Sequence, residues 1–202
     1  MNSNSKFLNI DFVSACSEKK LYPEDIGYEI AICGRSNSGK SSIINALANS
    51  KKLAKTSNTP GRTQSINFFR INQNDDHKLV DLPGYGYAKA SKSMKRDWGV
   101  KITDYMKSRD ALMGVILIMD IRHPFQEADY NFLEWCQSFN LPIQLLLNKA
   151  DKLSRNKSIN ILRDSAKELS DFSLLDDPQI FSAKTFDGVD DLVRKIKTWM
   201  AS

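Results

Sequence analysis

Cysteine is scarce: three residues, Cys16, Cys33 and Cys136, odd in number and widely separated. They fit neither a disulfide framework nor a zinc site and point to a reduced, cytoplasmic setting, with Cys33 a small buried hydrophobe. Histidine is scarcer still, and His77 and His123 form no metal cluster. Long apolar runs are missing, which argues against a transmembrane span. The stretch after Met1-Asn2-Ser3-Asn4-Ser5-Lys6 is too short and interrupted for a secretory leader. No internal repeat and no linker is visible. What remains is one chain of 202 residues, 41% apolar and 26% charged, sized for a single α/β domain.

The net charge of +5 is unevenly spread: residues 51–109 hold 13 Lys and Arg against 5 Asp and Glu. A basic middle on an otherwise acidic frame suits a polyanion, nucleic acid first. A solvated face that also offsets a bound nucleotide is the plainer explanation.

Residues 1–27, with Phe7-Leu8 and Phe12-Val13, read as an arm or added strand packed on a domain spanning 28–202. Tyr28 to Cys33 reads as a buried strand and Ser41 to Ala48 as a helix. Lys51 to Thr63 is polar and should be a loop. Ser65–Ile71 and His77–Asp81 form a hairpin across a turn at Asn72–Asp76. From Lys92 to Lys107 the residues Met94, Trp98, Ile102 and Tyr105 mark the inward face of a helix. Gly114–Asp120 is the most continuous apolar run, as expected of a central parallel strand covered on both sides. Pro124 opens the next helix; Ile143–Leu147 is a strand, Lys157–Leu169 a helix, Gln179–Phe181 the last strand, and Val189 to Met200 the closing helix. The pattern specifies a three-layer α/β sandwich, its sheet mostly parallel with one antiparallel edge strand.

Gly34-Arg35-Ser36-Asn37-Ser38-Gly39-Lys40-Ser41, with Ser42 behind it, sits between the first buried strand and its helix. It satisfies G-x-x-x-x-G-K-[ST], the phosphate loop of P-loop NTPases. Gly34 and Gly39 free the backbone to point N–H groups at a polyphosphate, and the helix N-terminus adds positive charge. Lys40 reaches the outer phosphates and the Ser41 hydroxyl ligates Mg²⁺. Three more motifs fall at strand ends, where ligands of open α/β sheets bind. In Asp81-Leu82-Pro83-Gly84, Asp81 reaches Mg²⁺ through water and the Gly84 N–H meets the terminal phosphate. In Asn148-Lys149-Ala150-Asp151, Asp151 accepts two N–H bonds that guanine offers and adenine lacks. Asn148 ties the base site to the phosphate loop, and the Lys149 stem lies over the ring. In Ser182-Ala183-Lys184 the Ala183 N–H faces the guanine carbonyl. A site built on such bonds can reject the wrong base by about 10⁴-fold, so the reading is GTP and GDP with Mg²⁺.

Thr63, within Gly61-Arg62-Thr63-Gln64, is the best second Mg²⁺ ligand, with Thr59 and Thr56 as rivals. Thr63 and Gly84 would be held while the γ-phosphate is present and released after hydrolysis. Lys40, Thr63, Gly84 and Asn37 are the candidate catalytic residues. Tyr85 stands where a water-orienting glutamine is common, so unaided turnover should be slow. Asn37 can help hold a monovalent cation such as K⁺. Tyr85 and Tyr87, beside Lys89 and Lys92, can stack on exposed nucleobases, though Tyr87 can equally pack inward.

Together with Thr59-Pro60-Gly61-Arg62-Thr63-Gln64, Asp81-Leu82-Pro83-Gly84-Tyr85-Gly86-Tyr87-Ala88 and Met119-Asp120-Ile121-Arg122-His123-Pro124, these motifs resemble the EngB/YihA/YsxC family of bacterial ribosome-assembly GTPases. The resemblance runs from about Phe12 to Trp199. It implies a Ras-like domain holding Mg²⁺ through Ser41 and Thr63, and a role in maturing the large ribosomal subunit. Partners would then be its precursor, rRNA and ribosomal proteins, with a link to division and septation, and a monomer is expected. Members commonly carry threonine where this chain has Asn148, a departure toward the general GTPase pattern. The competing reading is a protein–protein switch at the division site without RNA contact. An ATP-dependent kinase would need a base site without Asp151.

Overall fold

The computed structural model describes residues 6–54, 65–86 and 91–201. Seven strands form one sheet: β1 (Ile10–Cys16), β2 (Tyr28–Gly34), β3 (Ile66–Ile71), β4 (Asn74–Asp81), β5 (Leu112–Asp120), β6 (Ile143–Asn148) and β7 (Gln179–Ile180). Their spatial order is β1-β3-β4-β2-β5-β6-β7. β3 runs antiparallel to both of its neighbours, and the remaining pairs are parallel. β1 covers the outer side of β3, with a bulge between Phe12 and Ser14.

Five helices pack on the two faces: α1 (Lys40–Leu47), α2 (Lys92–Ser108), α3 (Glu127–Ser138), α4 (Arg155–Glu168) and α5 (Val189–Trp199). The alternating direction of side chains along a strand divides the core. Along β5, Val115, Leu117 and Met119 join Ile102 and Tyr105 of α2 and Phe132 and Leu133 of α3. Ile116 and Ile118 point the other way, toward Ile43, Ile44 and Leu47 of α1 and Leu192, Val193 and Ile196 of α5. Both faces of β5 are therefore dry, which is why its sequence is an unbroken apolar run.

Three local expectations need correction. The hairpin turn is only Asn72-Gln73, both left-handed at φ 54° and 56°, the pattern of a type I′ turn. The polar residues Asn74 to Asp76 already belong to β4, and their exposed side chains had made them look like loop. Pro124 does not open α3. Phe125 takes φ 56°, which holds the chain out of the helix until Gln126, whose N–H is then capped by the Asp129 carboxylate at 2.9 Å. Met94 is 37% exposed rather than inward, whereas Tyr105 is fully buried and Trp98 packs at the core margin.

Candidate nucleotide-binding site

The phosphate loop joins β2 to α1 at the carboxyl end of the sheet. Its backbone is held by the Ser38 N–H donating to the Arg35 carbonyl at 3.0 Å and the Ser36 N–H donating to the Tyr85 carbonyl at 2.9 Å. Gly39 is left-handed at φ 104°, and a Cβ there would stand 2.3 Å from Asn148 Nδ2, so no side chain fits. Lys40 leaves the first turn of α1 toward the segment after β4: a Cβ on Gly84 would lie 3.1 Å from Lys40 Nζ. Ser41 and Ser42 are half-buried beside it, while Asn37 is exposed at the loop's outer corner.

Leu82 and Pro83 continue the sheet inward, the Leu82 N–H donating to the Ile32 carbonyl at 3.0 Å and the Pro83 carbonyl accepting from Trp98 Nε1 at 2.8 Å. Asp81, at the end of β4, is buried; one carboxylate oxygen accepts from Asn67 Nδ2 at 3.4 Å. Burial raises its pKa, against the opposing charge of Lys40 and the Asn67 bond. Among the described residues, four buried side-chain polar atoms have no partner, and two of them, Asp81 Oδ1 and Ser38 Oγ, stand here. An orphaned buried acceptor is costly unless a ligand completes it. A bare carboxylate oxygen and the hydroxyl of Ser41 make an all-oxygen donor set of the kind Mg²⁺ takes.

The base side is assembled from the ends of β6 and β7. Asn148 is 2% exposed; its Nδ2 donates to the Ser38 carbonyl at 2.9 Å, and its Oδ1 accepts from the Ala183 N–H at 3.5 Å. One amide thus connects the phosphate loop, β6 and the Ser182–Lys184 segment. Lys149 is left-handed at φ 68°, and its Nζ donates to the Asn37 carbonyl at 2.6 Å. Asp151 Oδ1 accepts from the Ser182 hydroxyl at 2.9 Å, and Lys184 is exposed at the rim. Of the remaining positions named from the sequence, Thr56, Thr59, Gly61, Arg62, Thr63, Gln64, Tyr87 and Lys89 lie outside the described residues.

Two acids that sequence reasoning left without a role stand against this site. Asp120, at the end of β5, pairs with Lys149 Nζ at 3.0 Å and accepts from Arg122 Nε at 2.9 Å. Burial alone would raise its carboxyl, but the hydrogen bonds from Arg122 and Lys149 outweigh it and hold the pKa well below the usual range. Asp129, in α3, receives Arg35 and Tyr85. Its only sequence signal was an acid in the first turn of a helix, which usually means capping alone.

Tyr85 corrects an expectation. It is 6% exposed, stacks on Phe132 with centroids 5.1 Å apart, and donates its hydroxyl to Asp129 at 2.8 Å. Burial, reinforced by the Asp129 charge, pushes its pKa well above the ordinary value. It is a core residue and offers no face to a nucleobase.

A family model described as 50S ribosome-binding GTPase matches residues 29–149. The probable GTP-binding protein EngB of Haemophilus influenzae (strain PittEE) is 45% identical over 94% of this chain and 92% of its own. Its counterpart in Mannheimia succiniciproducens is 44% identical over 95% and 92%. Among solved structures, a probable GTP-binding protein engB superposes with TM-score 0.67 at 21% identity, covering 86% of this chain and 98% of that one. Aquifex aeolicus Era bound to GDP·AlF₄⁻ gives 0.64 at 20% identity, covering 87% and 57%. These two structural likenesses speak for the P-loop GTPase fold, while the curated relatives and the family model speak for kinship. The chain belongs to the EngB family of GTP-binding proteins, within the 50S ribosome-binding GTPases.

Proposed function

We propose that this EngB-type GTPase works in the cytoplasm as a nucleotide-dependent switch during assembly of the large ribosomal subunit, with a link to normal division and septation. The observation that carries the nucleotide part is the convergence of four strand ends on one set of underused polar groups: Asp81 Oδ1, Ser38 Oγ, Asp151 and Ala183. Asp151 retains acceptor capacity beside its bond from Ser182, suited to the paired donors of guanine. The Ala183 N–H, loosely engaged at 3.5 Å, is available to the guanine carbonyl.

In this reading the N–H groups from Gly34 to Ser42, together with Lys40, bind the polyphosphate, with Gly61, Arg62 and Gln64 beside it. The Gly84 N–H marks the terminal phosphate. Ser41, Thr63 and, through water, Asp81 would hold Mg²⁺, which supplies positive charge against the β- and γ-phosphates when bound. Intrinsic hydrolysis is slow, because the Tyr85 phenol is turned into the domain and engaged by Asp129 instead of facing an attacking water. A K⁺ ion beside Asn37 would add charge at the leaving phosphates; equal single-turnover rates in potassium and sodium would remove that part.

The ribosomal part rests on the family and on the basic stretch 51–109, which overlaps both switch segments predicted from the sequence. Era, a structural neighbour at TM-score 0.63 and 20% identity, has been solved with MgGDPNP and a segment of 16S ribosomal RNA. The test is sedimentation of ribosomal particles with the protein held in GTP-analogue or GDP form. Co-migration with large-subunit precursors in the GTP-analogue form, weakened by salt, is expected. Association indifferent to nucleotide, or surviving nuclease treatment, favours the protein–protein switch.

A further inference from the structure

The Asp129 carboxylate is fully buried, carries three donors, and belongs to none of the motifs that define the nucleotide site. Its donors come from three places in the sequence: the Tyr85 hydroxyl at 2.8 Å, Arg35 Nε at 3.1 Å from the nearer oxygen, and the Gln126 N–H at 2.9 Å. Arg35 is the second residue of the phosphate loop, and Tyr85 directly follows Gly84. Arg35 also donates to the His123 carbonyl, so its guanidinium is fixed at two points of the segment leading into α3.

The backbone repeats this connection. The Tyr85 N–H donates to the Gly34 carbonyl at 3.3 Å, and the Tyr85 carbonyl accepts from the Ser36 N–H at 2.9 Å. Phosphate loop and post-β4 segment thus form a short parallel ladder that outlasts the strands themselves. On the other side of Gly84, the Pro83 carbonyl is held by Trp98. Gly84 is therefore bracketed by residues whose polar groups are engaged inside the domain. Gly86, the residue after Tyr85, is left-handed at φ 68°.

We propose that Asp129 and Tyr85 are positioning residues for recognition of the terminal phosphate: one buried carboxylate grips both walls of the phosphate site and keeps the Gly84 N–H aimed into it. Neither residue touches nucleotide. The α3 end acts as a fixed post, so Gly84 keeps its place in both nucleotide states, in contrast to the release on hydrolysis that the sequence suggests. This rests on the reading of Gly84 as the contact to the γ-phosphate. A hydrogen bond to a charged group in a dry site is strong and directional, so losing the phenol proton donor should blur the aim without emptying the core.

The experiment is equilibrium titration of the native protein, Tyr85→Phe, Asp129→Asn and the double variant. The ligands are GDP, a non-hydrolysable GTP analogue and the matching adenine nucleotides, with thermal melts of each nucleotide-free protein. Tyr85→Phe keeps the stack on Phe132 and should fold. Its GDP affinity should stay within about twofold, while its GTP-analogue affinity falls about five- to tenfold, the scale of one hydrogen bond. Asp129→Asn, which places amide hydrogens against the Gln126 N–H and Arg35, should lower the analogue-to-GDP ratio further. The double variant should be no worse than Asp129→Asn, as for partners in one clamp. An unchanged ratio in Tyr85→Phe, or equal weakening of both nucleotides, with only the melting temperature lowered, overturns the clamp and leaves the guanine site standing. No preference for guanine over adenine in the native protein overturns the nucleotide reading, and the clamp with it.

Discussion

The two ends of β2 carry buried polar groups of opposite character. At the amino end, Glu29 is wholly buried and every part of it is occupied: Tyr105 donates to Oε2 at 2.9 Å, Arg109 Nε to the same oxygen at 3.1 Å, and Arg109 Nη2 to Oε1. Arg109 also donates to the Pro23 carbonyl at 2.9 Å and the Glu24 carbonyl at 3.1 Å. Asp25 adds a contact to Arg109 at 3.6 Å and accepts from the Asp110 and Ala111 N–H groups at 3.0 and 3.1 Å. At the carboxyl end, Ser38 Oγ and Asp81 Oδ1 are just as dry and have no partner. The saturated cluster is architecture, pinning residues 23–29 to the junction of α2 and β5. The unsaturated one is a site that something else must complete. Burial of a charge is common to both; only the state of its hydrogen bonds separates structure from function.

The contrast can be broken most directly at the saturated end. Arg109→Met strands the Glu29 carboxylate, and removing one member of a buried pair costs about 3–5 kcal/mol. Urea unfolding should show that loss in the nucleotide-free protein, while the ratio of GTP-analogue to GDP affinity stays as it was. A changed ratio would mean that the two ends are not independent. The opposite outcome is expected at the other end. Asp81→Asn neutralises a buried carboxylate held by one long bond from Asn67, its other oxygen bare, so urea stability should move by no more than about 1 kcal/mol. The enhancement of GDP binding by Mg²⁺ should instead fall about tenfold or more, as when an outer-shell carboxylate is lost. A large stability loss with an intact Mg²⁺ effect would place Asp81 with the architecture.

Legibility in the sequence followed the same division. The layered fold could be read because period-two and helical apolar patterns are local, and so could the phosphate loop and Asn148–Asp151, whose residues are contiguous. Motif logic made Asn148 a tie between the base site and the phosphate loop, and its Nδ2 donates to the Ser38 carbonyl at 2.9 Å. The pairing of Asp129 with Arg35 and Tyr85 could not be read, because it joins residues 94 and 44 positions apart through a carboxylate that looks like a helix cap. Tyr85 misled for a related reason: Gly84, Gly86 and nearby lysines suggest an open loop, and only the tertiary stack on Phe132 turns the ring inward. The hairpin misled through solvent, since exposed strand residues and turn residues share a polar composition.

The bulge in β1 bears on how this sheet ends. β1 is the rim, with Phe12 53% and Val13 45% exposed, so a bare apolar strand faces water. A continuous rim of that kind would be a template for another chain. The residue inserted at Val13 breaks the rim into Ile10–Phe12 and Ser14–Cys16, each too brief to zip with a newcomer, and twists one relative to the other. The extra residue thus guards the molecule against growing sideways into aggregates, a protection obtained without burying the phenylalanine.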